Sequence, residues 1–485
     1  MEKKQKSIKI NAVLNVLKQC STIIFPLIIY PYISHVLGSD NFGRVSFSSS
    51  IIEYGVVFAM LGIPTYMVRE GAKIRDNKVE LQKITSEVFT ISILTMLIAV
   101  FSIGILTISL PRLREEIDIL AILVWNVFFS ILGRDWVNTI YEDYLYVTIR
   151  YIAVKCISLV LIFLLVKRPE HFLRYVAIML FSESGGYIAN IFYSRKYVPY
   201  ALTRKPNIRK HLKPLLLLFC STLAVHIYIQ SDIIILGFMR TNAEVGVYSL
   251  ASRIYSVIKS VLNAIILVTI PRISYFVGNR KYDEYDELLG KLRDSLITLL
   301  FPCIIGGFSL SKNIMYIMGG DEFAYGYRAF EILCIALMAA VFGCYYAQGI
   351  LIPNRRESKY FICTSVSATV NIILNFWAIK FLGIEGAATT TLIAEVLIMV
   401  SCMYYSKGLH KEKVRVSINP IVVGCICICS LCKIVQQMPI NLIMQTAISV
   451  LLSVIMYFII LYFGKNSLVM EITKVFRQKL QRFSK

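Results

Sequence analysis

Along the chain, long apolar runs alternate with short stretches rich in Gly, Pro and charge, and the runs have the length of a bilayer crossing. A hydrocarbon core about 30 Å thick is crossed by roughly 20 helical residues rising about 1.5 Å each. Such runs lie at approximately 10–34, 42–68, 83–109, 117–139, 146–166, 172–194, 214–238, 244–270, 290–311, 324–352, 358–381, 385–406, 417–435 and 440–463. The pattern predicts an all-α integral membrane protein with about fourteen transmembrane helices. The fourth and fifth runs are the least clean, because Arg134, Asp135, Glu142 and Asp143 fall between them. Whether 117–166 holds two full spans is left open at this point. The longest loops, around 195–213 and 271–289, have no room for a soluble domain. Tyr282 to Leu292, mixing acids, Lys and apolar residues at helical spacing, reads as a cytoplasmic connecting helix along the interface. The first run is too long, and its flank too polar, for a cleaved signal segment.

The two halves echo each other. Cys20-Ser21-Thr22 opens a run ending at Leu37-Gly38 and followed by Phe42-Gly43-Arg44-Val45-Ser46-Phe47. Cys220-Ser221-Thr222 opens a run ending at Leu236-Gly237 and followed by Val245-Gly246-Val247-Tyr248-Ser249. Each second helix is expected to end at a proline, Pro64 or Pro271. Repeats of this kind recur in transporters, where two helical lobes rock around a central site. The expected organisation is a six-helix lobe over 1–205, a second over 206–410, and two additional spans with a basic tail over 411–485.

Composition sharpens this picture. Of 485 residues, 57% are hydrophobic and 17% charged, against about 45–50% and about 25% in soluble domains. An ordinary cytosolic enzyme, a disordered chain and a disulfide-stapled secreted domain are all excluded. The formal net charge is nevertheless +21. Alternate loops, starting from Lys3, Lys4, Lys6 and Lys9, hold about 34 of the 51 basic residues, and the opposite loops about nine. Cytoplasmic loops carry that excess, so both termini are expected on the cytoplasmic side of the inner membrane, with an even number of spans. A nucleic-acid partner would need basic and aromatic residues gathered on one face, which is not the pattern here.

Against this background the order of several motifs resembles bacterial polysaccharide (O-antigen or capsule repeat-unit) flippases. The stretch Pro31-Tyr32-Ile33-Ser34-His35-Val36-Leu37-Gly38 is followed by Phe42-Gly43, Gly62-Ile63-Pro64 and Arg69-Glu70. Asp232 to Gly237, Val245-Gly246-Val247-Tyr248 and Pro271-Arg272 come next. Gln348-Gly349-Ile350-Leu351-Ile352-Pro353, Asn371, Asn375 and Gly383-Ile384-Glu385-Gly386-Ala387-Ala388 complete the series over roughly residues 8–410. His35 stands where that family's pattern leads one to expect Arg. The resemblance implies membership of the multidrug/oligosaccharidyl-lipid/polysaccharide exporter superfamily. It also implies flipping of an undecaprenyl-diphosphate-linked oligosaccharide to the outer leaflet by alternating access. The implied partners are the bilayer, that substrate, a polysaccharide polymerase and glycosyltransferases.

A mid-bilayer charge costs about 2.5–3.5 kcal/mol and normally faces the bundle interior or a wet cavity. Arg253 and Lys259 lie mid-span, and Lys18 and Arg134 lie within or beside other spans. These four cations are expected to attract the diphosphate or acidic sugars. Asn371 and Asn375 share a polar face with Thr364 and Ser367 and join the expected substrate-binding set. Glu53, Asp232 and Glu395 are the candidates for coupling to a proton or sodium ion; pairing with a neighbouring cation is the competing reading. Cys425, Cys427, Cys429 and Cys432 cluster in an apolar span without a nearby His or acid, so no metal is expected. No Gly-rich phosphate loop or other cofactor motif is present. A membrane-embedded polymerase or glycosyltransferase is the enzymatic alternative, disfavoured by outer loops of about 5–13 residues. A multidrug or lipid II exporter of the same superfamily stays open.

Overall fold

The computed structural model describes residues 8–199, 201–204, 206–411, 417–471 and 473–474. Lys3, Lys4, Lys6, Lys413, Arg415 and the basic tail beyond Lys474 lie outside the described residues. Among the described residues all regular structure is helical, and there is no strand. Among the described residues, ten helices are long and apolar enough to cross a bilayer, or eleven if Tyr282–Ser309 and Ser311–Gly319, bent by 72°, form one crossing. This is a multi-pass membrane protein.

Two of the ten are far longer than one crossing needs, 57 residues over Leu17–Lys73 and 50 over Glu357–Ser406. Each is broken at a glycine. Gly38 has φ 74° and ψ 173°, and Gly383 has φ 58° and ψ −130°. Residues with a Cβ rarely adopt such angles, so glycine lets the chain turn between two apolar runs without a loop. Region 117–166 resolves into a segmented helix over Ile117–Ile140 and a continuous one over Tyr144–Leu165, each long and apolar enough for a crossing.

The chain divides into two compact units, Met1–Gly246 and Val247–Lys485. In the first unit the helices are α1 (Ile8–Met60), α2 (Ile63–Lys73), α3 (Lys78–Ser109), α4 (Ile117–Leu123), α5 (Trp125–Gly133), α6 (Trp136–Ile140), α7 (Tyr144–Leu165), α8 (Phe172–Tyr193) and α9 (Ile208–Met239). The division falls later than residue 205 because α9 packs along α1. Ser50 and Glu53 of α1 both bond Gln230 of α9, and the rings of Phe47 and Phe238 meet edge to face. The two repeat motifs touch here through their glycines. A Cβ on Gly43 would lie 1.8 Å from the Asn242 carbonyl oxygen, and one on Gly246 would lie 2.1 Å from that of Ser39. Only glycine permits this backbone-to-backbone approach.

The second unit holds most of α10 (Asn242–Gly278), then α11 (Tyr282–Ser309), α12 (Ser311–Gly319), α13 (Tyr327–Cys344), α14 (Glu357–Ser406), α15 (Ile418–Gln436) and α16 (Leu442–Phe463). Two sequence readings are corrected here. Pro271 does not end its helix but lies inside α10, where neighbouring groups can satisfy the carbonyl that proline frees. The separate interfacial helix expected from Tyr282 to Leu292 is instead continuous with the following span as α11. Its apolar positions Tyr285, Leu289 and Leu292 are buried on the same helix. Asn375, bonded to Asn371 on its own arm, and Ser367 join the two arms of α14 about the Gly383 break. The Asn375 amide donates to Asn371 at 3.1 Å, Thr390 donates to the Asn375 carbonyl, and Ser367 donates to the Ala394 carbonyl at 2.7 Å.

The Gly383 break generates a direct prediction. Gly383→Ala should destabilise the purified protein by about 1–3 kcal/mol, read as a lower melting temperature in detergent. Gly104→Ala, where an added Cβ meets nothing within 4 Å, should hold or raise it. Equal effects at both positions would contradict the strained turn.

Candidate functional site

Polar side chains at membrane depth gather in a few places, each within one unit. In the first unit a cavity of about 380 Å³ opens between α1, α2, α5, α8 and α9. Glu53, Asn126, Ser130, Glu183, Tyr187 and His226 contribute to its wall. Glu53 accepts from the Gln230 amide at 2.5 Å. Glu183 accepts from Lys155 at 2.9 Å, and Ser184 donates to Asn126 at 2.8 Å. A second cavity of about 270 Å³ shares Met60, Pro64, Ser130 and Tyr187 with the first, and adds Asp135 and Trp136. Asp135 is held by Arg150 at 2.6 Å. Of the expected coupling acids in this unit, Glu53 faces the larger cavity. Asp232 is buried on α9, within electrostatic reach of Tyr54.

The two expected cations of this unit separate. Lys18 sits over the Tyr151 ring at 5.6 Å, a face that Lys155 also approaches at 5.6 Å. Arg134 is buried, in the left-handed conformation at the end of α5, with φ 46°. Its guanidinium donates to the Val198 carbonyl at 3.2 Å and lies over Phe89. It joins the α5–α6 break to the connection after α8, and lines neither cavity.

In the second unit, Lys259 and Glu395 form one ion pair. The ammonium donates to Glu395 Oε1 at 2.5 Å, and Tyr255 donates to the same oxygen at 2.7 Å. Glu395 keeps 4% side-chain exposure and Lys259 keeps 25%. The cation therefore has an accessible side and the carboxylate lies beneath it. A residue assigned to substrate and one assigned to coupling turn out to share one bond. Arg253 lies half-buried a turn and a half earlier on α10. Asn371 and Asn375 are fully buried, with amides engaged in the α14 clamp described above.

One cluster escaped the sequence reading. His211, wholly buried, contacts Glu87 through Nε2 at 2.8 Å and the Tyr66 hydroxyl through Nδ1 at 2.7 Å. Leu81, Val88, Ile140 and Leu215 pack around it. The triad pins α9 to α2 and α3. Its one available signal was Glu87, an acid inside the third apolar run. Its partners lie 124 and 145 residues apart in sequence.

Comparisons with known proteins agree with this architecture. A family profile described as polysaccharide biosynthesis protein matches residues 8–277, more than half of the chain. A protein of Escherichia coli (strain K12) named "Putative O-antigen transporter" is 26% identical over 282 residues, 55% of this chain and 65% of the relative. The chain thus spans just under two thirds of that relative's length. One of the same name from Shigella dysenteriae is 23% identical over 400 residues, 81% of this chain and 98% of the relative. Among solved structures, "Lipid II flippase MurJ, inward closed conformation" superposes with a TM-score of 0.76 at 14% identity, over 94% of this chain and 99% of that one. That likeness is one of fold, shared along nearly the whole of both chains.

The Lys259–Glu395 pair can be tested as a pair. Removing either partner strands a charge away from water and should cost about 3–5 kcal/mol, reduced where Lys259 is exposed. Replacing both, as Lys259→Met with Glu395→Leu, should recover most of the loss in detergent melting experiments. Strictly additive losses would show that the two groups do not interact.

Proposed function

Because the chain belongs to the polysaccharide biosynthesis protein family, we propose that it flips a polyprenyl-diphosphate-linked oligosaccharide from the inner to the outer leaflet of the cytoplasmic membrane. The observation that carries this reading is the match along 98% of the Shigella relative, joined to a transporter fold. Transport proceeds by alternating access rather than by covalent chemistry. The enzymes that feed it are glycosyltransferases acting on the inner leaflet, and a polymerase consumes its product outside.

Counting each arm of the two glycine-broken helices, the bent pair as one crossing, and the 22-residue α8 as another brings the ten helices to fourteen. An even count suits two cytoplasmic termini, the orientation that the loop charges favour.

A diphosphate needs cations at membrane depth, and Lys259 and Arg253 on α10 are proposed to supply them, with Lys18 in the first unit. Phosphate arriving at the accessible side of Lys259 shares its ammonium with Glu395, which stays bonded beneath it, so neither anion is left bare in the apolar interior. Arg134, Asn371 and Asn375 are assigned to holding helices together. Ion coupling is proposed at Asp232, an acid buried on α9 at membrane depth.

Cells carrying Arg253→Gln with Lys259→Gln, at verified expression, should lose surface glycan. Unchanged export would overturn the cation assignment. In vesicles, substrate movement should follow an imposed proton or sodium gradient and lose that dependence in Asp232→Asn. Transport indifferent to both gradients would contradict coupling.

A further inference from the structure

The first unit encloses two adjoining cavities that binding a diphosphate does not require. They share the Tyr187 ring as a common wall. Polar side chains gather at membrane depth only against an energetic cost, so such places mark functional sites. At about 380 Å³ the larger one suits a small organic ligand rather than a bare ion. Among the described residues, no group of three His, Cys, Asp or Glu side chains is arranged to hold a metal.

The three carboxylates are oriented by protein neighbours: Glu53 by Gln230, Glu183 by Lys155 and Asp135 by Arg150. Two buried atoms remain without a hydrogen-bond partner, His226 Nδ1 on the larger cavity and Asp135 Oδ1 on the smaller. A buried polar atom left unpaired is costly, and a ligand bearing hydroxyls relieves that cost. Aromatic rings stand beside these atoms, Tyr187 between the cavities and Trp136 in the smaller. Rings beside carboxylates, an amide and an imidazole suit a pyranose, whose C–H face packs on the ring while its hydroxyls donate to the acceptors. No lysine or arginine lines either cavity; with Lys155 and Arg150 already paired to Glu183 and Asp135, an anionic sugar would meet acceptors and like charge rather than a cation.

We propose that the paired cavities form a glycan subsite that takes one or two neutral or amino sugar residues of the transported glycan and excludes uronic acids. This rests on reading the chain as a glycan carrier. The full-length protein in lipid nanodiscs, probed by saturation-transfer NMR, tests it with methyl glucoside, methyl glucosaminide and methyl glucuronide. The first two should bind, and the glucuronide should bind about tenfold more weakly or not at all. Tyr187→Ala and Asn126→Leu should each weaken binding about tenfold, Tyr187→Phe should retain it, and Gly104→Ala, outside both linings, should leave it unchanged. Absence of binding by all three sugars, equal binding of the glucuronide, or indifference to the cavity variants would each overturn the subsite. A response to sodium or pH without sugar binding would mark a cation site and also overturn it. Surface glycan supported by a protein that binds no sugar removes the subsite and leaves the transport reading standing. Sugar binding by a protein that supports no surface glycan does the reverse.

Discussion

A charge inside an apolar slab must be neutralised within reach of its own side chain, and the packing of this protein follows from that constraint. Each unpaired charge costs about 2.5–3.5 kcal/mol at the centre of a membrane. Lys259 therefore meets Glu395, Lys155 meets Glu183, and Arg150 meets Asp135. Each pair fixes which two elements are neighbours and at what height. The same rule operates at one rim of the first unit. There Arg44 and Arg112 converge on the nearly buried Glu116, and Arg112 also donates to the Gly237 carbonyl. Those bonds tie the Pro111–Glu116 connection to α1 and α9.

Ion pairs set neighbours, and glycine sets distance. Gly43 and Gly246 let two backbones approach until any side chain would collide, and Gly237 admits the Phe47 ring. Lipid tails are as apolar as a leucine side chain, so close packing of small residues replaces the hydrophobic drive that water supplies elsewhere. The repeat visible in the sequence is thus a packing device, with each copy's glycine resting against the backbone beside the other's.

What was legible in the sequence follows from which signals are local. Apolar run length is local, so the helices and the break near Gly38 could be read directly. The Tyr282–Leu292 segment misled because its mixed polar pattern resembles an interfacial helix, yet its apolar positions continue the buried face of α11. Pairings are not local: Lys259 and Glu395 are 136 residues apart, and only the fold makes them one group. For the same reason Asn371 and Asn375 read only as a polar stripe, and the fold is needed to show Thr390 donating to Asn375 across the Gly383 break. The Tyr66–His211–Glu87 triad draws on three helices, none of which looks unusual alone. Cavities are the least legible, since Glu53, Asn126, Glu183 and His226 come from four separate helices.

Together these features describe a multi-pass membrane protein whose buried charges are held in pairs and whose first unit keeps a polar chamber. The central claim is movement of a lipid-linked glycan between leaflets. The most direct measurement reconstitutes the purified protein in sealed vesicles, with a fluorescent polyprenyl-diphosphate oligosaccharide confined to one leaflet. Accessibility of the sugar to an added lectin is then followed over time. Sugar should become accessible on the opposite face at a rate that rises with protein and not with empty vesicles. Sugar that stays on its original leaflet despite folded, correctly inserted protein would contradict the account.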